Sequence, residues 1–324
     1  MVLGVGMLAL AGGNAGAAEV VVYTSLENDE VVEYLKQAKA DMPDLEVKWI
    51  RLSTGDLGAR MLAEKDNPQA DVIWGWAVTN MIPFVKQGLV EPYAPKGVER
   101  IPAQFKDPGH HWVAIDLYMA AFCVNTDVAK KKNLPIPASW EDLLKPVYKG
   151  EIVMPNPASS GTGYLQISSL LQMKGEAGGW EYLKGLDKNI AQYIKSGSRP
   201  AKMAAAGEYA IGLSFEFAVA KLVEQGAPVK LVIPKEGAGY ELEANALMKG
   251  AKRPAAAKRF LDWAISESAM RQYAKWKAGV TLGGMPTPAY LPGDLTRILY
   301  PMNFDWSAGN YERIVKEWER LLLR

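Results

Sequence analysis

Four small residues, Ser159-Ser160-Gly161-Thr162, form the segment of this sequence with the clearest binding chemistry. They separate a short apolar stretch from an amphipathic one, so we expect them at the beginning of a helix. Hydroxyl and backbone N–H groups at a helix N-terminus bind oxyanions, assisted by about half a positive charge from the helix dipole. The segment therefore predicts an anion-binding site, and the alternative is that one serine only caps the helix.

Other hydroxyl groups follow predicted strands or precede predicted helices. If these elements meet at one cleft, the groups would bind the same anion from the opposite side. Helix capping and an ordinary surface loop are the alternatives. The residues are Thr24, Ser25, Ser53, Thr54 and, in a loop that also carries an arginine, Ser198.

Three carboxylates would suit an ammonium group of the ligand. Asp116 interrupts an apolar extended stretch, Glu216 ends a predicted strand, and Glu243 lies in a second extended stretch. A buried carboxylate requires a partner, because burying an uncompensated charge is costly. That partner is either a ligand ammonium or a structural lysine or arginine, and the sequence leaves both open.

Aromatic side chains near the predicted site would form its wall or stack over a cationic group. The alternative is that they belong to the hydrophobic core, where most large aromatic residues are buried. The candidates are Trp74, Tyr118 and Tyr240.

Catalytic and metal-binding patterns are missing from the sequence. The two histidines, His110 and His111, are adjacent in a Pro/Gly loop, so a serine or cysteine nucleophile has no well-placed base. No phosphate loop, dinucleotide fingerprint or His-Glu-x-x-His helix occurs, and Cys123 stands alone in an apolar run. We therefore expect a binding protein without catalytic residues, metal ion or cofactor, and a hydrolytic enzyme is the remote alternative.

The elements that must position these residues alternate between strands and helices from residue 19 to residue 74. Such alternation indicates a mostly parallel sheet with helices on both faces, which binds ligands at the carboxyl ends of its strands. Most of the polar candidates fall at such ends. The strands are predicted at 19–24, 45–50 and 70–74, and the helices at 30–39 and 54–65.

A second α/β unit lies between two long extended stretches, 112–124 and 240–248. We predict an α/β fold with two lobes, built from two mixed sheets that two crossover strands join, and a ligand cleft between the lobes. The first lobe would contain residues 19–115 and 246–324, and the second residues 116–245. Within the second unit, strands are predicted at 151–154, 210–215 and 229–233 and a helix at 164–174.

The balance of charged residues bears on the partners of the protein, and its N-terminal residues bear on its cellular compartment. Lys plus Arg number 37 and Asp plus Glu number 36, so no basic surplus would bind nucleic acid. The apolar run Met1–Ala11 precedes small residues at Ala15 and Ala17, which is the pattern of a signal peptide over residues 1–18. An uncleaved anchor or a buried strand is the alternative. We predict a monomer that is exported to the periplasm.

Several segments also carry a family resemblance: Val22 to Glu27, Ala63 to Gly75, Asp116 to Thr126, Met154 to Gly163 and Ile233 to Gly237 followed by Tyr240. Through these segments the mature chain resembles type II periplasmic binding proteins of ABC importers, and the resemblance covers essentially its whole length. It is most similar to the branch shared with ferric-iron-binding proteins, and within that branch to binding proteins for 2-aminoethylphosphonate.

The resemblance implies capture of 2-aminoethylphosphonate, or a close aminophosphonate, by cleft closure and delivery to an ABC permease with its ATPase. The hydroxyl groups would hold the phosphonate, and Asp116, Glu216 or Glu243 would hold the amine. Ferric iron is the alternative ligand of the same fold. Ferric-binding relatives typically use a neighbouring tyrosine pair, whereas Tyr240 is followed here by Glu241.

Overall fold

The computed structural model describes residues 18–322, so the predicted signal peptide lies outside the described residues except for Ala18. The strands are β1 (Ala18–Thr24), β2 (Leu45–Arg51), β3 (Val72–Ala77), β4 (Val90–Glu91), β5 (Val113–Asn125), β6 (Ile152–Pro155), β7 (Ile190–Ile194), β8 (Ile211–Phe215), β9 (Val229–Val232), β10 (Tyr240–Met248) and β11 (Gly279–Val280). The helices are α1 (Asn28–Asp41), α2 (Thr54–Ala63), α3 (Val78–Lys86), α4 (Thr126–Lys131), α5 (Gly161–Lys174), α6 (Glu176–Asp187), α7 (Arg199–Ala205), α8 (Glu216–Glu224), α9 (Pro254–Ala264), α10 (Glu267–Tyr273), α11 (Phe304–Gly309) and α12 (Tyr311–Leu322).

The strands form one curled mixed sheet with two halves. Its order is β2-β1-β3-β10-β5-β8-β6-β7, and β4, β9 and β11 pair beside this path. The long strand β5 belongs to both halves, because its first part pairs with β10 and its second part pairs with β8 and β9. We call the half with β1, β2, β3 and β10, together with its helices, the first lobe. The half with β6, β7, β8 and β9 and its helices is the second lobe.

Helices cover both faces of the sheet in each lobe. In the first lobe, α1, α9 and α10 pack Tyr34 and Phe260 onto one face, and α2 and α3 pack Met61 and Phe84 onto the other. In the second lobe, α5, α6 and α12 cover one face, and α7 and α8 cover the other. A strand covered on both faces is apolar throughout, which is why β3 and β8 are buried along their whole length.

Within residues 18–322 the chain passes between the lobes in three places. The first is β5, and the second is residues 233–239, which lead from β9 into β10. The third is Asn310, between α11, which packs on α3 of the first lobe, and α12. Helix α12 buries Ile314 and Trp318 in the core of the second lobe, whereas the sequence pattern predicts residues 246–324 in the first lobe.

The predicted α/β fold is confirmed, and the predicted strands and helices occur at their expected places with ends shifted by a few residues. Elements that the sequence does not predict are β4, β7 and β11 and helices α3, α4, α6, α7 and α8. Strand β10, expected as a second crossover, pairs with β3, β4 and β5 inside the first lobe.

Candidate functional site

A polar cavity lies between the lobes, where strands of both lobes end. It holds about 390 Å³ of empty space, its open mouth included. Arg51 and Phe215 are the last residues of β2 and β8, and Ser25 and Gly197 lie in the loops that follow β1 and β7. Open α/β sheets generally bind ligands at such strand ends. The lining residues are Ser25, Glu27, Glu30, Arg51, Ser53, Thr54, Tyr118, Ser160, Gly161, Thr162, Gly197, Phe215, Phe217 and Glu243.

The N-termini of α2 and α5 meet at this cavity from opposite lobes. The Gly55 N–H donates a hydrogen bond of 2.9 Å to the Ser159 carbonyl oxygen, which joins the lobes directly. A Cβ atom on Gly161 would lie 2.6 Å from Thr54 Oγ1. Since that distance is shorter than van der Waals contact, glycine is what allows the close approach. The structure is therefore a closed arrangement with two positive helix ends at one cavity.

The hydroxyl groups that line the cavity differ in the bonds they already make. Ser160 Oγ accepts a hydrogen bond of 3.3 Å from the Gly163 N–H, so Ser160 also caps α5. Ser25 Oγ donates to the Gly75 carbonyl oxygen at 2.8 Å. Ser53 occupies the N-cap position of α2 without a side-chain capping bond. The Ser53 hydroxyl thus keeps its hydrogen-bonding capacity for a ligand.

Three hydroxyl residues predicted for the site lie behind or beside the cavity. The Ser159 hydroxyl donates to a backbone carbonyl of the loop after β7, and the Thr24 hydroxyl accepts from a backbone N–H two residues further on. Ser198 Oγ donates to Glu27 Oε2 at 3.0 Å and so connects the two lobes. Their hydroxyl groups are engaged within the protein and do not line the cavity.

Of the predicted aromatic residues, Tyr118 lines the cavity and the other two pack elsewhere. Trp74 is fully buried in the first lobe and donates its indole N–H to Tyr273 Oη at 3.1 Å. The Tyr240 ring packs edge-to-face against Phe304, with 5.3 Å between ring centroids. Both rings stabilise the packing of the first lobe, which is the core alternative left open by the sequence.

Glu216 connects backbone segments instead of lining the cavity. Its carboxylate accepts hydrogen bonds from the Met119 N–H at 2.7 Å and the Ala278 N–H at 3.1 Å. These bonds join β5 to the segment before β11. The side chain is fully buried.

An ion pair between Arg51 and Glu27 lines the cavity and is absent from the sequence prediction. Arg51 Nη2 lies 2.8 Å from Glu27 Oε1, and Arg51 Nε donates to the Leu26 carbonyl oxygen at 3.1 Å. Arg51 is the last residue of β2 and Glu27 follows β1, so both lie at the strand ends where α/β sheets bind ligands. The other lining residues that are not among the predicted binding residues are Glu30, Gly197, Phe215 and Phe217.

A buried ionic cluster lies against the cavity wall. Lys277 Nζ is 2.8 Å from Glu30 Oε1 and 2.6 Å from Glu243 Oε2, and the Lys277 side chain is fully buried. Asp116 is buried beside them, and neither of its carboxyl oxygens makes a hydrogen bond of regular geometry. Glu243 therefore has a structural lysine as its partner, which is one of the two possibilities that the sequence leaves open.

Burial controls the protonation of this cluster. It raises the pKa of Glu30 to about 7, although Lys277 opposes the shift. Burial also raises the pKa of Asp116 well above its usual range, and repulsion from Glu243 adds to the effect. Burial tends to lower the pKa of Lys277, but the neighbouring carboxyl groups outweigh it and raise that pKa. These shifts favour the charged form of Lys277 and the neutral form of Asp116.

Buried glutamates predict how stability depends on pH. Burial raises the pKa of Glu216 to about 8 and that of Glu241 to about 7, from an ordinary value of 4.5. The native state then binds more protons than the unfolded state, so the free energy of unfolding should fall as pH rises from about 4.5 to about 8. One group contributes at most about 1.4 kcal/mol per pH unit.

Urea unfolding at a series of pH values measures this dependence. Glu241→Gln removes one of the titrating groups and should flatten the part of the profile below about pH 7. A free energy of unfolding that rises with pH across the whole window would contradict the prediction.

Two lobes that share a sheet and close around a polar cavity define a solute-binding protein. Residues 67–312 match the model of the family described as bacterial extracellular solute-binding protein, and the chain belongs to this family. It is a periplasmic solute-binding protein of the ABC-importer class, and the family points to a binding protein rather than an enzyme.

Individual relatives agree with this assignment. AfuA, a periplasmic binding protein from Actinobacillus pleuropneumoniae with fructose-6-phosphate bound, is 34% identical, with a TM-score of 0.89 over 94% of this chain and 98% of AfuA. A probable ABC transporter periplasmic-binding protein of Sinorhizobium fredii is 29% identical over 80% of this chain and 72% of the relative. Iron-bound HitA from Pseudomonas aeruginosa, 19% identical with a TM-score of 0.78 over 93% of this chain and 99% of HitA, shares the fold.

The family also implies the predicted periplasmic location. Among the helices of residues 18–322, none combines the length and the apolar character needed to cross a bilayer. The predicted cleavage of residues 1–18 stays a prediction, because the segment falls almost entirely outside the described residues.

Proposed function

We propose that the protein captures a small organic phosphate or phosphonate between its lobes and delivers it to a membrane permease. The observation that carries the proposal is the meeting of the α2 and α5 N-termini at a cavity that also contains the Arg51 guanidinium. Helix ends and arginine are the groups that proteins use for phosphoryl oxygens. The hydroxyl groups of Thr54 and Thr162, one from each lobe, would add hydrogen bonds to the same oxyanion.

Contacts from both lobes link capture to closure. A ligand shifts an equilibrium between open and closed forms by the difference in its affinity for the two. A phosphoryl group between Thr54 and Thr162 gains its full set of contacts when the lobes meet, so it stabilises the closed form. The closed form would then dock on the permease, whose ATPase supplies the energy for transport.

A sugar phosphate is the first candidate for the complete ligand. The relative AfuA holds fructose-6-phosphate, and its fold is similar over nearly the whole chain. The carboxylates that line the cavity here, Glu27, Glu30 and Glu243, already have Arg51 or Lys277 as partners. Ionised carboxylates of this kind still accept hydrogen bonds from neutral hydroxyl groups.

2-Aminoethylphosphonate, the ligand expected from the sequence, is the second candidate. The cavity offers it the same helix ends for its phosphonate, but Glu30 and Glu243, the carboxylates beside which its ammonium would lie, already pair with Lys277. Ferric iron would compete with Lys277 for the same carboxylates. Within residues 18–322 no group of three or more His, Cys, Asp or Glu side chains is arranged to hold a metal ion.

Isothermal titration calorimetry against a matched panel tests the proposal. The panel contains fructose 6-phosphate, fructose, 2-aminoethylphosphonate, inorganic phosphate and ferric citrate. We expect fructose 6-phosphate to bind at least about 100-fold more tightly than fructose, because each hydrogen bond to a charged group contributes about 1.5–3 kcal/mol. Tight binding of ferric ion without binding of any phosphate or phosphonate would overturn the proposal.

Two substitutions at neighbouring positions compare a hydroxyl group that lines the cavity with one that lies behind the cavity wall. Thr162→Val keeps the side-chain shape but removes a hydroxyl that lines the cavity, so the phosphate ligand should bind about 10- to 100-fold more weakly. Ser159→Ala removes a hydroxyl that donates to the protein backbone and should change the affinity by less than about twofold. Equal losses of affinity in the two variants would place the anion elsewhere.

A further inference from the structure

Lys277 places a buried ammonium group next to the ligand cavity. Its Nζ atom lies 2.8 Å from Glu30 Oε1 and 2.6 Å from Glu243 Oε2. The same atom lies 4.1 Å from the centroid of the Phe217 ring. Since Glu30, Glu243 and Phe217 all line the cavity, the ammonium is one side chain away from a bound ligand.

The surroundings of Lys277 Nζ are those with which proteins bind the ammonium group of a ligand. Paired carboxylates and the face of an aromatic ring both stabilise a desolvated cation. Asp116 adds a third carboxyl group, fully buried and without a hydrogen bond of regular geometry. One lysine ammonium therefore occupies a setting with more acidic groups than a single ion pair requires.

We infer that Lys277 fills, from within the protein, the subsite in which an aminated ligand would place its ammonium group. The inference rests on the proposed capture of phosphates or phosphonates and narrows the substrate class to those whose second polar group is uncharged, such as a hydroxyl. Glu243, which keeps a small exposed area at the cavity, accepts a hydrogen bond from that hydroxyl, while Lys277 compensates its charge and that of the buried Glu30. Lys277 is thus a positioning residue that determines specificity through these two carboxylates.

A ligand ammonium would meet the Lys277 ammonium across the same carboxylates. The two positive charges would repel each other in a buried region, where neither salt nor water screens them well. Lys277 has no exposed surface, so its side chain cannot turn into solvent without disturbing the core. A hydroxyl group in the same place meets no such repulsion.

Two ligands that differ in one group test the inference on the wild-type protein. 2-Hydroxyethylphosphonate and 2-aminoethylphosphonate share the phosphonate group and the chain length. We expect calorimetry to show that the hydroxyl ligand binds at least about tenfold more tightly. Equal affinities, or a preference for the amino ligand, would overturn the inference and leave capture of phosphonates intact.

Lys277→Ala should open the subsite to an external ammonium. The variant buries carboxylates without a partner, so we expect a lower melting temperature that methylammonium chloride raises again, whereas sodium chloride at the same concentration does not. Its ligand preference should reverse in favour of 2-aminoethylphosphonate, by about 100-fold relative to the wild type. Lys275→Ala removes a neighbouring exposed lysine and is the matched control, with wild-type preference and no rescue.

The outcomes separate this inference from the proposed function. A folded Lys277→Ala protein that methylammonium does not stabilise would refute the ammonium subsite. If the variant does not fold, the comparison of the two phosphonates on the wild type decides. If the wild type binds neither phosphonate nor fructose 6-phosphate, the proposed function fails, whereas rescue by methylammonium would still support the subsite.

Discussion

Replacing Gly55 by alanine should weaken ligand binding by at least about 100-fold without removing any side chain that contacts the ligand. A Cβ atom at this position would lie 2.1 Å from the Ala158 carbonyl oxygen. Because the obstacle is backbone and not a flexible side chain, the lobes must separate where the Gly55 N–H now reaches Ser159. The ligand would then lose the contacts of one lobe.

Calorimetry and small-angle X-ray scattering check this result together. The wild-type protein should contract when its phosphate ligand is added, and Gly55→Ala should stay expanded. Gly178→Ala is the matched control, because its Cβ atom would meet no atom closer than 3.7 Å on the exposed side of α6. Wild-type affinity in Gly55→Ala would show that the contact between α2 and α5 is not part of the ligand-bound state.

Arg51→Gln should weaken binding of the phosphate ligand by about 10- to 150-fold. Arg51 carries the one positively charged side chain among the described residues that line the cavity. Its loss removes a charge-assisted hydrogen bond and also leaves Glu27 without its partner beside the ligand anion. The two effects act in the same direction, because an uncompensated carboxylate repels a phosphoryl group.

A double variant separates these two effects. Glu27→Gln in the Arg51→Gln background removes the repulsion and should recover part of the lost affinity in calorimetry. Arg60→Gln is the matched control, since Arg60 pairs with Glu64 outside the cavity and is more than a third exposed. A loss of the same size in Arg60→Gln would mean that net charge, rather than the position of Arg51, determines affinity.

The position of the site could be predicted because it follows from strand ends. Alternation of strands and helices identifies which loops lie at the carboxyl edge of a sheet, and those loops supply Ser25, Ser53 and Thr54. The small-residue run after β6 supplies Ser160 and Thr162 by the same rule. Arg51 ends β2 and follows the rule as well, although it is not among the predicted binding residues.

The partners of the carboxylates could not be predicted. Glu243 and Lys277 are 34 residues apart, and Glu30 pairs with the same lysine from the opposite end of the chain. No periodicity or composition links such residues, since their pairing depends on how helices and strands pack in three dimensions. Asp116 and Glu243 therefore carry the same sequence signal whether their partner is a ligand or a lysine.

Amphipathic and aromatic patterns likewise predict that a residue is buried but not what it packs against. The pattern of α12 indicates a buried face with Ile314 and Trp318, but not which lobe that face packs on. Trp74 likewise precedes a glycine at a strand end, where either a binding wall or a core position is compatible with the sequence. In the structure Trp74 packs against Tyr273 and Phe260, so it belongs to the core.

The pairing of β5 with β10 has a kinetic consequence. Tyr118 is opposite Glu241 and Asp116 is opposite Glu243 in this ladder, so the lining residues Tyr118 and Glu243 keep their relative positions while the lobes move. Tyr118 and Glu243 thus form a floor of the cavity that is in place before the lobes close. The contacts from Thr54 and Thr162, in contrast, come together only when the lobes meet. Changes in the floor should therefore affect both the formation and the lifetime of the first, open complex, and changes at the two helix ends should act mainly on the residence time of the ligand in the closed form.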